Sequence, residues 1–382
     1  MKIAYILVWN LEGNSPIEKK VALQTHKWRE LGHEVKVFAI SRNKVDQTVI
    51  REAELLWKTR GGNFLTRYSG NGKIYEELES RVRDFNPDFI YFRNSFYHAK
   101  LARLLKKYPS CMEVNGLPMK EALIGFFSTP YKTLVSAYVF LTYRAMLGMG
   151  RGKVCVSHEI RDTLFGNHDP SEVIVIPNSI EIPENNDHQT KSHEIPRLLY
   201  VCGPVGHHIN PKHHYHAVDK IVRLATRTVG KMEIMVVGDN GESFTDSNLP
   251  DNIRFRGILH NEQYHSALEW ADVGLGVAGL HRKGMHEASP LRVRDYATVG
   301  LPMILPYKET AFAEEDTPEW VMKLPNQEDN LDRNADDIAD FVSRMKGYKV
   351  PLAERKRYFG TDHWESRRLA FMESLVESQS SH

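Results

Sequence analysis

Cysteine is scarce in this chain, three residues in 382, and Cys111, Cys155 and Cys202 stand far apart inside apolar runs. An odd, scattered set of this kind argues against a disulfide scaffold and suits small buried thiols in a reducing compartment. An excess of one charge is missing too: 50 Lys and Arg face 49 Asp and Glu, for a formal net charge of +1. There is no global field to draw the chain onto nucleic acid, so any anion must be held locally. The longest uncharged apolar stretch, 133–143, falls well short of the roughly 20 residues that a bilayer-spanning helix requires. The apolar start, MKIAYILVWN, lacks a small-residue cleavage site and reads as a first buried strand, which places the protein in the cytoplasm. No short-period repeat or low-complexity tract occurs.

What is present is alternation. Short β-branched runs at 3–8, 34–39, 88–92, 111–114, 153–156 and 173–176, and again at 197–202, 232–237, 253–255, 272–277 and 302–305, read as strands. Helix-period segments separate them, including Ile17, Val21, Trp28 and Leu31 before Gly32, and the stretches 212–225 and 262–270. The class is α/β, with parallel sheets covered by helices. The polar, proline-bounded stretch 183–196 has no hydrophobic period and reads as a linker. The reading divides the chain into a domain at 1–185, a linker at 186–196, a second domain at 197–350 and a helical segment at 351–382 that packs back on the first domain.

The most informative stretch is GMHEASPLRVRDYATVGLP, residues 284–302. Ser289 reads as a helix N-cap with Pro290 at the first helical position, and Gly300 as the stop. Arg292 then sits in the first turn, against the positive end of the helix dipole, at a cost of roughly 0.3–1 kcal/mol that an anion docking there would reverse. A phosphate is the natural guest. Glu287 before the cap and Asp295 inside the helix could flank it, and carboxylates suit hydroxyl recognition because they accept hydrogen bonds from sugars.

Acid, small residues, Pro-Leu, a base, an acid eight positions after the first, an aromatic and Gly-Leu-Pro together resemble the signature of the retaining family 4 glycosyltransferases of the GT-B fold, with E-x7-D where that family has E-x7-E. Other segments fall in the family's order. VCVSHEIRDTLF and VIVIPNSIEI, with Asn178, resemble the close of its first domain; LLYVCGPVGHHINPKH resembles the opening of its second, and MEIMVVGDNGE and IRFRGILHNEQYHSALEWADVGLGV the units around the nucleobase.

The resemblance implies two Rossmann-like, doubly wound domains facing each other across a cleft, and retaining transfer of a hexose-type sugar from a nucleoside-diphosphate sugar to a carbohydrate or lipid-linked acceptor, in polysaccharide or glycolipid biosynthesis. It places Glu287, Lys212 and Asn115 at the reaction centre. Gly203, Lys212, Ile258, Glu287, Ser289, Leu291, Arg292 and Asp295 would line the donor, whose base, UDP or GDP, it leaves open; Gly13, Arg93, Glu113 and Asn115 would stand on the acceptor side. No cofactor is implied, and the absence of D-x-D argues against a metal-chelating donor site. Three departures stand out: Pro204 replaces a phosphate-binding arginine, whose role would pass to Arg282 or Arg292; the glycine-rich loop after the first strand is reduced to Gly13; and Glu113 and Asn115 stand where many members carry histidine or aspartate.

Other readings compete. Gly274, Gly276 and Gly279 match G-x-G-x-x-G, which would make a nicotinamide dehydrogenase, but no helix opens behind them. His207, His208, His213, His214 and His216 could bind a metal, but no Cys or acid stands among them at ligand spacing. The aromatic stretch 124–149, with Lys132 and Arg144, reads as a core helix, with a peripheral membrane surface as the alternative. A GT-B chain without catalysis, or a nucleotide-sugar epimerase or hydrolase, would use much the same residues.

Overall fold

The computed structural model describes residues 1–13, 15–43, 45, 48–57, 72–93, 96–124, 130–184, 193–203, 214–244, 249–312 and 317–380. Two compact units result, one of Met1–Pro177 with Thr361–His382 and one of Asn178–Gly360. The boundary falls at Pro177, where the sequence reading puts 185, and residues 185–192 of the expected linker lie outside the described residues. The helical segment after 350 is divided: its first helix stays with the second unit and its last belongs to the first.

In the first unit, β1 (Lys2–Val8), β2 (Glu34–Ser41), β3 (Ala53–Trp57), β4 (Phe89–Arg93), β5 (Ser110–Val114), β6 (Gly152–Cys155) and β7 (Val173–Val175) form one parallel sheet in the order β3-β2-β1-β4-β5-β6-β7. The helices of this unit are α1 (Pro16–Glu30), α2 (Gly72–Phe85), α3 (Ala99–Leu105), α4 (Pro118–Ile124), α5 (Pro130–Leu147) and α6 (His158–Phe165). Because helices cover parallel strands on both faces, the strands are continuous apolar runs, and β1 is buried from Ile3 through Leu7. The α1 stripe is confirmed for Val21 and Trp28, whereas Leu31 is the C-cap and is 44% exposed.

The second unit repeats the plan. It contains β8 (Arg197–Val201), α7 (Val218–Arg227), β9 (Glu233–Val237), β10 (Ile253–Phe255), α8 (Asn261–Trp270), β11 (Val273–Leu275), β12 (Glu287–Ala288), α9 (Leu291–Thr298), β13 (Met303–Leu305), β14 (Lys308–Glu309) and β15 (Val321–Lys323), then α10 (Asn330–Arg333), α11 (Ala335–Arg344) and α12 (Leu352–Phe359). Its main sheet runs β10-β9-β8-β11-β13-β15, and β12 and β14 pair separately. All three cysteines are buried and free.

The last helix, α13 (Thr361–Ser380), returns to the first unit. Gly152 makes room for it, since a Cβ there would come within 2.3 Å of Leu375 Cδ1. Its polar side is anchored deep in the unit. Trp28 Nε1 donates to Glu365 at 2.9 Å, Arg368 pairs with Glu365 at 2.9 Å, and Arg368 Nη1 reaches Tyr91 Oη at 2.7 Å and Glu113 at 3.4 Å. Around them Tyr5, Trp28 and Tyr91 pack with ring centroids 5.1–5.8 Å apart. Removing one partner of a buried ion pair leaves the other charge uncompensated. Arg368→Met is therefore expected to lower the unfolding free energy by about 3–5 kcal/mol, read from urea denaturation; a loss below about 1 kcal/mol would show that α13 is held by its apolar face alone.

Candidate functional site

In the second unit, β8 ends at Val201 and the chain continues through Cys202 to Gly203. Residues 214–217 return to start α7, whose N-cap, Ala217, adopts a left-handed conformation with φ of 52° and has no side-chain cap bond. That conformation is strained for a residue with a Cβ and marks an over-determined turn. Tyr200 Oη donates to the His216 carbonyl, and the His216 ring, 5% exposed, sits between two donors. Its Nε2 accepts from the Gly203 N–H at 3.2 Å, and its Nδ1 lies 3.2 Å from Arg292 Nη2. A neutral imidazole has one N–H and one acceptor nitrogen, so it cannot accept from both. Burial, and then the Arg292 charge, push the His216 pKa down to about 2, so the ring stays neutral.

Arg292 is the second residue of α9, at the positive end of the helix. Its guanidinium lies 5.7 Å from the centre of the Tyr200 ring, and its Nη1 is buried with no hydrogen-bond partner. Among the described residues no carboxylate pairs with it. Arg282, the other candidate to replace the arginine missing at Pro204, differs: it grips Asp219 with two bonds of 2.8 and 2.9 Å and Glu328 with a third of 3.0 Å. Arg282 is a neutralised structural cation, and Arg292 a half-buried cation whose Nη1 is buried and which has no counter-charge among the described residues. Lys212, Pro204, His207, His208 and His213 lie outside the described residues.

The expected cap of α9 is corrected. Pro290, not Ser289, is the N-cap, with no side-chain cap bond, and Leu291 is the first helical residue. The Ser289 hydroxyl has stronger obligations: it accepts from the Asn178 N–H at 2.7 Å and from Arg294 Nη2 at 2.8 Å. Arg294 is fully buried, also donates to the Asn178 carbonyl at 2.6 Å, and pairs with fully buried Glu309 at 2.8 Å. Asn178 donates its side-chain amide to the Ser289 carbonyl, and its Oδ1 is buried without a partner. Gly300 follows the C-cap with φ of 71°, as the sequence requires of a helix stop.

Glu287 is 3% exposed on β12, held in register opposite Lys308. Asp295 accepts a 2.7 Å hydrogen bond from Tyr264 of α8, and Ile258 is 59% exposed just past β10. Tyr264, Asn178 Oδ1 and the His216 ring are contributions that the motif alone did not reveal. The three glycines of the dinucleotide pattern have packing reasons. A Cβ on Gly274 would meet the Tyr296 ring at 2.4 Å, on Gly276 the Tyr307 ring at 2.8 Å, and on Gly279 the Tyr215 carbonyl at 2.7 Å.

The first unit gathers the other expected residues at the C-terminal ends of its strands. Register sets Arg93 opposite Glu113. Glu113 is fully buried and takes six donors: Lys20 at 2.6 Å, Tyr91 at 2.6 Å, Asn115 at 2.9 Å, Arg93 at 3.1 Å, Gln24 at 3.2 Å and Arg368 at 3.4 Å. Burial opposes its charge, but Lys20, Arg368 and Arg93 outweigh that and hold the carboxyl well below the ordinary range. Its oxygens are fully engaged, so it organises its neighbours, and the half-buried Arg93 and Asn115 are the groups presented at the edge. Gly13, with φ of 91°, donates its N–H to Glu18 at 3.0 Å, and Glu18 also takes the N–H groups of Glu12 and Ser15. The shortened loop is thus fixed by a buried carboxylate.

His216 gives the apo protein a pH signature. Its folded pKa lies below the unfolded value, so between about pH 6.5 and 2 the unfolded chain binds the extra proton and stability falls as pH falls. Between pH 6.5 and 5 the loss attributable to this group should be about 2 kcal/mol. Urea midpoints of wild type and His216→Gln across that range should show a shallower acid limb in the variant; parallel limbs would contradict the buried neutral ring.

Residues 19–183 match the model of the family described as Glycosyltransferase Family 4. No curated protein matches the chain. Among solved structures it is similar to the lipopolysaccharide outer core galactosyltransferase WaaB in its apo form, with a TM-score of 0.66 at 12% identity over 99% of this chain and 100% of that one. A glycosyltransferase from Rickettsia africae ESF-5 gives 0.65 at 13% identity over 98% of each chain. A putative UDP-N-acetylglucosamine 2-epimerase from Listeria monocytogenes gives 0.56 at 13% identity over 99% and 97%. At these identities the likeness speaks for the fold, and the last of the three has a different reaction in its name. Less than half of the chain, residues 19–183, thus resembles Glycosyltransferase Family 4, and the whole chain shares the fold of the solved glycosyltransferases, with two α/β units.

Proposed function

We propose that this protein transfers a hexose-type sugar, with retention, from a nucleoside-diphosphate sugar to a hydroxyl of a carbohydrate or lipid-linked acceptor in polysaccharide or glycolipid biosynthesis. The observation that carries the reading is Arg292, a guanidinium with a buried, unpartnered Nη1 at the start of α9 and no carboxylate beside it. Leaving a buried donor unsatisfied costs free energy, and a phosphate oxygen recovers it with a charge-assisted bond next to the free N–H groups of the helix start. Lys212 is the second cation by resemblance to the family.

In transfer, the bond from the anomeric carbon to the diphosphate oxygen breaks and a bond to the acceptor oxygen forms on the same face. The acceptor proton passes to the leaving diphosphate. Arg292 and Lys212 stabilise charge where it develops, the electrostatic contribution that usually dominates such steps, and they do so without a metal. Glu287 and the open Asn178 Oδ1 accept from donor hydroxyls, while Asp295, already bonded to Tyr264, takes the ribose.

The first test is thermal stabilisation by UDP, GDP, ADP and their sugar conjugates in EDTA, with NAD as control. One nucleoside diphosphate should raise the melting temperature, and one of its sugars should raise it further; no shift with any would leave a binding module without this chemistry, and a shift with NAD alone would favour a dehydrogenase. Glu287→Ala should abolish transfer, Asp295→Ala should chiefly weaken nucleotide binding, and full transfer by Glu287→Ala would overturn the assignment. Epimerised or hydrolysed sugar as the sole product would overturn transfer itself. Arg292→Met should remove the nucleotide-dependent shift while leaving the ligand-free protein at least as stable as wild type, because it deletes a half-buried cation with no carboxylate partner among the described residues. A variant less stable than wild type would mean that Arg292 is structural.

A further inference from the structure

The connection from β5 to β6 carries apolar surface that its packing does not use. Residues 122–158, 37 in succession, contain no aspartate or glutamate, although acids make up 49 of the 382 residues. Within this stretch α5 is seated by one side. Val139 and Met146 are buried, and buried Ser136 donates to the Ala122 carbonyl of α4 at 2.8 Å. The opposite side points outward at helical spacing: Leu134 is 50% exposed and Leu141 87%, Ala145 is exposed with them, and Phe140, 42% exposed, flanks the stripe. Tyr138 Oη bonds the Tyr97 carbonyl at 2.6 Å, which sets Phe96, 48% exposed, beside the helix. Scattered single exposed leucines need no explanation, but a contiguous apolar face does.

Charge identifies the occupant. Arg144 is exposed on this side and pairs with no carboxylate among the described residues. In a symmetric contact with a second copy, each acid-free segment would meet its own cations with no carboxylate to offer. A bilayer bearing anionic headgroups supplies both an apolar layer for the leucines and negative charge for the cations. Placement agrees: Phe96 and Tyr97 follow β4, and α4 and α5 follow β5, so the face grows from the strand ends that present Arg93 and Asn115.

We propose that the outward face of α5, with Phe96 beside it, docks this protein on the surface of an anionic lipid bilayer, where a lipid-linked acceptor would be met. The acceptor clause rests on the glycosyltransferase reading; the docking does not. The test is co-sedimentation of the full chain with phosphatidylcholine vesicles, with and without phosphatidylglycerol, for wild type, Leu134→Ser/Leu141→Ser and Arg144→Gln. Wild type should partition onto the phosphatidylglycerol vesicles more strongly than onto phosphatidylcholine alone. The double variant should lose about tenfold or more in partition coefficient, and Arg144→Gln should lose the preference for the anionic vesicles in part. The melting temperatures should be unchanged, because the substituted side chains are exposed. Failure of wild type to partition, or equal partition of wild type and the double variant, would overturn the proposal. So would a dimer of the wild type in sedimentation equilibrium that the leucine substitutions abolish, since that would make the face a self-association surface. The nucleotide shifts measured on the same protein separate the two readings: vesicle binding without a nucleotide shift removes the transferase and leaves the docking, and the reverse does the opposite.

Discussion

A carboxylate cut off from water survives as an ion only if the protein rebuilds its hydration shell, and the first unit is organised around that requirement at Glu113. Six donors from β4, α1, α13 and Asn115 just past β5 converge on its two oxygens. Each donor fixes the element that carries it, so one buried charge sets the seat of the first helix, the pairing of two central strands and the return of the last helix. Lys20 carries the complementary strain: burial lowers its pKa to about 8 despite the adjoining carboxylate.

The second unit uses its arginines in two ways. Arg294 with Glu309, and Arg282 with Asp219 and Glu328, are compensated pairs tying loops to the core. Arg292 has the same chemistry and no such partner. Its Nη2 lies 3.2 Å from a histidine whose other ring nitrogen faces a backbone N–H. The difference between Arg292, at a helix start, and these paired guanidinium groups is what supports reading it as an anion-binding residue.

The sheets were legible because strands buried on both faces must be apolar throughout, as the runs at 3–8 and 88–92 are over Ile3–Leu7 and Phe89–Phe92. The strand Ala53–Trp57 was missed because it is short and half-exposed at an edge, and Val321–Lys323 because three residues carry no period. The motif around Glu287 located the helix that follows it but misread that helix's cap. Ser289 has the right chemistry to cap, and only tertiary structure reveals that Asn178, 111 residues earlier, and Arg294 claim its hydroxyl first. Lys20 and Arg368 offered no local signal, since their common partner lies 93 and 255 residues away in the chain.

The return of α13 to the first unit has a consequence for the order of synthesis. Glu113, Lys20 and Arg93 all leave the ribosome early, whereas Arg368 and Glu365 follow only after the whole second unit has been made. At roughly 5–20 residues per second, the separation of 255 residues amounts to about 13–50 s during which the first sheet exists without its last helix. The N-terminal unit is thus begun first and finished last, and the second unit must fold while its predecessor still exposes the apolar groove that Leu369, Phe371, Met372 and Leu375 will fill.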